Sequence, residues 1–293
     1  MTTQIASPQN PRLKALRRLQ SRRERARSGR FLAEGEDLIA AAQRAGVQAL
    51  EGYRLAGSGL GDDDFFDVER SALGAVSTLG SGTRVIGVYE QHWGTPAGPL
   101  CVYLHGVGDP GNVGTVLRSA QAFGASCVAL GPGCADPHSP KAVRASMGAI
   151  FAVALARVDD VARLPGERVA LIAGAAETLR GPGADERSRG FGKRGAEESS
   201  RGSGKRGAEE PSRGSGKHGA SPVVTLLVGA ERDGLPEDVV AACERSARIP
   251  IASESLNAAM AATVALYEMT RGTLLAGPAR GGRACGNQGT VPA

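Results

Sequence analysis

Aromatic residues and clustered metal ligands are scarce in this sequence. Only 4% of its 293 residues are Phe, Trp or Tyr, and there is a single tryptophan. The four histidines are scattered, and the five cysteines form neither a C-x-x-C pair nor a cluster of zinc spacing. We therefore expect no metal site and reduced thiols at Cys101, Cys127, Cys134, Cys243 and Cys285.

Long apolar runs are also missing. The N-terminus lacks the apolar segment of a secretory signal peptide, and no run approaches the roughly 18 apolar residues of a membrane span. Hydrophobic residues still make up 41% of the chain, enough for one large or two ordinary domains with buried cores. The sequence predicts a cytoplasmic protein without membrane contact.

Positive charge is concentrated near the N-terminus. Residues 11–30 contain nine Arg or Lys and one Glu, whereas the net charge of the whole chain is only +5. Segregated charge is typical of a protein that binds a polyanion such as RNA, although a solvated helix face is the alternative. The candidate RNA-binding residues are Arg12, Lys14, Arg17, Arg18, Arg22 and Arg23.

A repeat of low complexity interrupts the second half of the chain. Residues 188–220 repeat a unit of 12 residues that is rich in Gly, Ser and charge and nearly free of apolar side chains. Burial cannot offset the ordering entropy of such a segment, so we expect a disordered insertion over residues 181–221. The tail, residues 278–293, is expected to be flexible too.

Strand and helix patterns alternate on both sides of a linker at residues 95–99, which hold two prolines and a glycine. Before it we expect a small α/β domain, residues 1–95, that opens with a basic helix carrying Leu13, Leu16 and Leu19 on one stripe. After it we expect a larger domain, residues 99–277, with apolar strands over residues 100–107, 125–131, 168–175, 223–230 and 246–252. Continuous apolar strands separated by helices indicate a parallel sheet.

Three of these strands run into polar loops. Ligands of open parallel sheets bind beyond the carboxyl ends of the strands, so the three loops form a candidate site. Taken singly, Ser255 or Asn257 could cap the last helix, and Glu231 could pair with Arg118. The combination of three such strand ends in one sheet favours a ligand site, which includes Gly229, Glu231 and Gly234 after one strand and Ser253, Ser255 and Asn257 after another.

The first loop also contains G-x-G-x-x-G over residues 106–111, a pattern typical of dinucleotide-binding folds. However, the next strand ends in glycine and proline, where such a fold needs an acidic residue for the ribose. Pro110 also removes a backbone N–H from the loop. A nicotinamide-dependent enzyme is therefore the weaker interpretation.

In order, the three loops resemble the motifs of the SpoU (TrmH-like) branch of the SPOUT RNA methyltransferases. The matching residues are Asn112, Gly114 and Arg118, then Gly229, Glu231, Gly234 and Leu235, then Ile249, Pro250, Ser255, Leu256, Asn257, Tyr267 and Glu268. The N-terminal region resembles the substrate-binding domain that often precedes this catalytic domain. One departure is the loop at residues 251–254, which is shorter than the family usually has.

The resemblance implies a parallel-sheet domain tied into a deep trefoil knot and preceded by a small, L30e-like RNA-binding domain. It also implies S-adenosylmethionine as cofactor, a homodimer, no metal, and methyl transfer to a ribose 2′-hydroxyl. The expected substrate is 23S ribosomal RNA, and transfer RNA is the second choice. A catalytically silent RNA-binding or ribosome-assembly protein on the same scaffold is the alternative.

The resemblance also implies a role for each residue. Arg118 would clamp the substrate phosphate and ribose, since a guanidinium stays protonated and makes a poor base. Asn112 would orient the substrate or Arg118, and Glu231 would hold the loops, with Arg118 as a candidate partner. The remaining expectations are Ser255 and Asn257 near the methyl donor and a cofactor pocket lined by Gly229, Ile249 and Leu256.

Overall fold

The computed structural model describes residues 4–79, 82–181, 223–253 and 255–275. The predicted flexible tail and Cys285 lie outside these ranges, as does the predicted insertion except for Gly181. No helix of the described ranges is long and apolar enough to cross a membrane. Those ranges also contain no cluster of potential metal ligands, and their four cysteines are free.

The N-terminal part packs four helices against a mixed sheet of four strands. The helices are α1 (Pro11–Arg18), α2 (Arg22–Ser28), α3 (Glu36–Arg44) and α4 (Arg70–Gly74). The strands are β1 (Arg30–Glu34), β2 (Glu51–Leu55), β3 (Phe66–Val68) and β4 (Val85–Glu90), in the spatial order β1-β4-β2-β3. The predicted leucine stripe is confirmed, since Leu13, Leu16 and Leu19 are all buried.

The basic residues that follow the predicted leucine-bearing helix lie on a second helix, α2. The chain leaves α1 at Leu19, and α2 begins after Ser21, whose hydroxyl accepts a hydrogen bond from the backbone N–H of Glu24. A serine followed three residues later by glutamate is a recognised start signal for a helix. One basic residue of α2, Arg25, pairs with Asp136 in the second half of the molecule.

The second part is built on a six-stranded sheet, and the predicted parallel sheet is confirmed. Its strands are β5 (Leu100–Leu104), β6 (Cys127–Leu130), β7 (Ala154–Arg157), β8 (Glu167–Leu171), β9 (Val224–Val228) and β10 (Arg245–Ala247). All pairs are parallel, in the order β10-β8-β9-β5-β6-β7. The flanking helices are α5 (Pro110–Ala122), α6 (Pro140–Ala145), α7 (Glu237–Ala241) and α8 (Ala258–Leu275).

The strand order places the candidate loops at a switch point. From β5 the chain first adds β6 and β7 on one side, and it later inserts β9 on the other side, between β5 and β8. The loops after β5 and β9 therefore emerge next to each other, which is where ligands bind in open parallel sheets. The trefoil knot and the L30e-like assignment of the small domain stay predictions.

The prediction of a strand over residues 246–252 is wrong beyond its first residues. Strand β10 ends at Ala247, and Arg248 adds only an isolated bridge to Thr178. Pro250 follows and has no N–H to donate to a ladder. The chain turns out of the sheet at this point, so Ile249 and Ile251 line a cavity instead of extending a strand.

The two parts share one hydrophobic core across the predicted linker. Tyr89 packs on Phe151 with ring centroids 4.7 Å apart, and Phe31 packs on His138 at 4.8 Å. The ion pair between Arg25 and Asp136, at 2.8 Å, is almost fully buried beside these rings. The small domain is thus held against the sheet edge at β6 and β7.

This shared core makes stability depend on pH through His138. Only 2% of this residue is exposed, and burial lowers its pKa to about 4. In the unfolded chain the histidine binds a proton near pH 6.5. The contribution of neutral, buried His138 to stability is therefore fully present above that pH and is lost as the pH falls toward 4. We expect the free energy of unfolding to drop by about 2 kcal/mol between about pH 7 and about pH 5 through this residue.

Urea unfolding at several pH values measures the drop. The His138→Phe variant is the control, because it fills the aromatic site without titrating. An equal pH dependence in the two proteins would contradict the assignment.

Candidate active site

Glu231 is the point at which the three predicted loops meet. Its Oε1 accepts a hydrogen bond from the side-chain amide of Asn112 at 2.6 Å and another from the amide of Asn257 at 2.5 Å. The Asn257 amide also donates to Oδ1 of Asn112, at 3.2 Å. A single carboxylate oxygen therefore joins the loop after β9, the start of α5 and the start of α8.

Local sequence sets the position of Asn112. Asp109 caps α5 by accepting a hydrogen bond from the backbone N–H of Asn112 at 3.0 Å, and Pro110 occupies the first helical position. Lys141 donates to Asp109 at 2.6 Å and holds the pKa of that carboxyl below its usual value. A carboxylate thus occupies the helix N-terminus where a pyrophosphate would bind, which argues against the dinucleotide interpretation.

Two motif glycines are required by close packing. A Cβ on Gly114 would lie 2.3 Å from the carbonyl oxygen of Ala142, so only glycine lets α5 approach α6 this closely. A Cβ on Gly229 would lie 2.1 Å from the carbonyl carbon of Gly234, whose φ is +65°. Ala230 and Gly234 exchange two backbone hydrogen bonds across this turn, and the turn presents Glu231 at its tip.

Asn257 has two functions at once. Its Oδ1 accepts hydrogen bonds from the backbone N–H groups of Ala259 at 3.0 Å and Met260 at 3.2 Å, so it caps α8. Its amide nitrogen is left free to reach Glu231. The cap and the site are therefore the same residue, whereas Ser255 makes neither contact and lies on the adjoining wall of a cavity.

This apolar cavity has a volume of about 320 Å³ and lies between β8, β9 and the start of α8. Its wall includes all three predicted cofactor residues, Gly229, Ile249 and Leu256. Glu231 stands at the rim, and it also lines a second cleft of about 230 Å³ formed with Asn112 and the loop after β5. We call this second space the rim cleft. The carboxylate separates an apolar chamber from a polar opening.

The structure does not place Arg118 in the Glu231 cluster, and the candidate ion pair between these two residues is not formed. Glu231 is bound to the two asparagines instead. Arg118 lies six residues beyond Asn112 on the same helix. Its side chain therefore leaves the helix at a position rotated by about 240° around the axis from that of Asn112. Its side chain is exposed and has no ion pair or hydrogen bond among the residues described.

The six predicted RNA-binding residues divide into two groups. Arg12 pairs with Glu51 at 3.1 Å, and Arg17 donates to the carbonyl of Ala75 at 3.1 Å, so both also have structural contacts. The other four are exposed and form no ion pair within the described part of the chain: Lys14, Arg18, Arg22 and Arg23. These four remain available for phosphate groups.

Sequence reasoning missed two residues that position the site. Asp109 and Lys141 fix the first turn of α5, and Asp109 lies within the G-x-G-x-x-G segment at residues 106–111. An acidic residue directly before a proline at a helix start is a capping signal that could have identified Asp109. No local pattern links Lys141 to it, because the contact joins residues 32 positions apart.

The two functions of Asn257 can be separated by substitution. We expect Asn257→Ala to lower the free energy of unfolding by about 1 kcal/mol, because the helix loses its cap. Asn257→Ser should change it by less than about 0.5 kcal/mol, because serine also caps but is too short to reach Glu231. Urea unfolding measures both. Equal losses would show that the contact with Glu231, and not the cap, stabilises the helix.

Comparison with known proteins agrees with this arrangement. Residues 99–176 and 206–267 match the SpoU rRNA Methylase family, and residues 10–59 match the MRM3-like substrate binding domain. An uncharacterized tRNA/rRNA methyltransferase of Synechocystis is 31% identical over 170 residues, which is 49% of this chain and 58% of that protein. The 23S rRNA (guanosine(2553)-2'-O)-methyltransferase of Bacillus subtilis is 28% identical over 162 residues, 53% of this chain and 64% of that protein.

The fold comparison covers more of the chain. The crystal structure of an AdoMet-bound rRNA methyltransferase from Sinorhizobium meliloti matches with a TM-score of 0.70 at 26% identity, over 92% of this chain and 98% of that one. The alignments with the two curated relatives span less than two thirds of their length. With both halves of the methylase model present in order around the cluster at Glu231, the chain belongs to the SpoU rRNA methylase family.

Proposed function

We propose that this protein transfers a methyl group from S-adenosylmethionine to a ribose 2′-hydroxyl of structured RNA. The observation that carries the proposal is the Glu231 carboxylate, which joins Asn112 and Asn257 between an apolar cavity and a polar cleft. Two similar proteins support it, one described as AdoMet-bound and one named as a 2'-O-methyltransferase of 23S rRNA.

The apolar cavity suits the cofactor. Its aliphatic wall at Ile249 and Leu256 can accept an adenine ring, and the absent side chain at Gly229 brings backbone groups within reach of a ligand. When bound, the cofactor supplies an electrophilic methyl group on a sulfonium. The carboxylate of Glu231 at the rim complements that positive charge, and Asn112 and Asn257 keep the carboxylate fixed.

Arg118 acts on the RNA and not on the cofactor. A guanidinium stays protonated in proteins, so it cannot take the proton of the hydroxyl. Its planar fork is suited to a bidentate contact with a phosphate, which positions the ribose and stabilises the developing alkoxide. The proton passes to a phosphate oxygen of the RNA or to water. Alignment of the two reactants supplies most of the rate.

The small domain would hold the RNA by its backbone. Lys14, Arg18, Arg22 and Arg23 contact phosphates without regard to sequence, and RNA shape selects the site. The relative from Bacillus subtilis is named for 23S rRNA, which favours ribosomal over transfer RNA as the substrate.

A homodimer would complete the site. Helix α8 exposes Met260, Val264 and Tyr267, which are 60%, 42% and 50% accessible and recur at helical spacing on one face. The same helix contacts α5 through Thr263 and Ser119, whose hydroxyls lie 2.6 Å apart. A second copy packed on this stripe would therefore lie close to Arg118, the neighbour of Ser119 in the chain.

Transfer of tritium from labelled S-adenosylmethionine to RNA tests the function. The substrate is total RNA from cells lacking this protein, fractionated by size. Label in one ribosomal species, with the modified step resistant to alkaline cleavage, is the expected result. Cofactor binding without label in any RNA would contradict the proposed reaction. Absence of both would favour the silent RNA-binding protein.

Arg118→Ala should lower methyl transfer by roughly 10²-fold, because the clamp on the developing charge is lost. The affinity for S-adenosylmethionine, measured by calorimetry, should not change. Arg163→Ala removes an exposed arginine from the segment before β8, which belongs to none of the three motifs, and is the matched control. Near-normal turnover of Arg118→Ala would overturn its role.

Val264→Glu should convert the dimer to monomers, because it places a charge in an apolar interface. Light scattering after size exclusion measures the mass, and circular dichroism checks the fold. Leu50→Glu, at another exposed apolar residue in the small domain, is the control and should stay dimeric. A Val264→Glu protein that keeps its dimeric mass would rule out this interface.

A further inference from the structure

A third cavity lies where the small domain meets the sheet edge at β6 and β7. It has a volume of about 300 Å³, at the lower end for ligand sites. Helix α2 contributes Arg22, the segment after β4 contributes Gln91 and Trp93, the loop after β6 contributes residues 131–137, and the end of β7 contributes Arg157. We call it the stacking cleft.

The cleft contains a preformed layer of two planar groups. The guanidinium carbon of Arg157 lies 4.0 Å from the ring centroid of Trp93, which is stacking distance. The tryptophan ring is held in turn by an edge-on contact with the buried His138, at 5.2 Å. Arg157 is exposed and forms no ion pair in the described ranges, so the face of its guanidinium that points away from Trp93 is open to a ligand.

The charge of the cleft favours an anion. Asp136 is neutralised by Arg25, which approaches it at 2.8 Å. Of the two acids among the lining residues, only Asp159 then lacks an ion pair in the described part of the chain. The two arginines of the lining, Arg22 and Arg157, therefore outnumber the free acid. An open guanidinium plane beside a second free arginine is what a base and its phosphate require.

The stacking cleft adjoins the active site. Gly133 lines the stacking cleft, and Gly106 lines the rim cleft. The two glycines lie so close that a Cβ on Gly133 would be 3.1 Å from the Cα of Gly106. The two spaces are thus separated by the thickness of two glycine backbones. Strands β5, β6 and β7 are neighbours, so one polynucleotide can pass along their carboxyl ends from Glu231 to Trp93.

We propose that the stacking cleft binds one unpaired nucleotide of the RNA substrate, close to the nucleotide that is methylated. The base stacks on the Arg157–Trp93 layer, and its phosphate contacts Arg22. A cavity this small accepts a single nucleotide and excludes a duplex. The proposal rests on the proposed function, because RNA is the polyanion that such a site would serve.

Trp93 is the only tryptophan of the chain, so its fluorescence reports on this cleft alone. The probes are single-stranded hexa-adenylate and hexa-uridylate and an RNA duplex of the same length. We expect the single strands to quench the emission and the duplex not to do so. Arg157→Ala should weaken the binding of fluorescein-labelled hexa-adenylate by about tenfold, as expected for the loss of one stacked base.

Arg163→Ala is the control of equal charge and should bind as the unaltered protein does. Quenching by the duplex to the same extent, no quenching by either single strand, or equal affinity of Arg157→Ala and Arg163→Ala would each overturn the proposal. Methyl transfer is measured separately. Quenching without methylation of any RNA would refute the proposed function and leave this site standing, whereas methylation with an unaffected Arg157→Ala protein would refute only the site.

Discussion

The two hydrogen bonds received by one oxygen of Glu231 hold the functional end of this molecule together. Asn112 and Asn257 are 145 residues apart in the chain, and both amides donate to that oxygen, in addition to the hydrogen bond that Asn257 donates to Asn112. The three residues lie in three separate segments: the start of α5, the turn after β9 and the start of α8. Glu231 also lines both the apolar cavity and the rim cleft, so it forms part of the wall that they share.

The backbone makes this contact possible. Insertion of β9 between β5 and β8 places the turn with Glu231 next to the start of α5. Gly229 and Gly234 allow that turn to close, and Asp109 fixes the first turn of α5. The shared core at Phe31, Tyr89 and His138 then sets the basic helices beside the same edge of the sheet. A polyanion that contacts α2 is thereby directed toward the cluster.

The sequence predicted the parallel sheet and the residues at its carboxyl edge well, because both depend on local patterns. Buried strands such as β5 and β9 are continuous apolar runs, and ordered motifs identified Asn112, Glu231 and Asn257. The partner of Glu231 was wrong, because the choice between Arg118 and the asparagines depends on rotation around α5. The layer of Trp93 and Arg157 was also missed, since the two residues lie on separate elements and neither belongs to a motif. The break before Ser21 could have been found, because its start signal is local.

The most direct test of the role of Glu231 is calorimetric titration of the protein and of Glu231→Ala with S-adenosylmethionine. Glu231 is exposed, so its removal should leave the folded state intact, as circular dichroism can verify. If the carboxylate holds the loops around the apolar cavity, the dissociation constant should rise by about tenfold or more, the equivalent of one charge-assisted hydrogen bond. An unchanged dissociation constant in a folded Glu231→Ala protein would contradict the account.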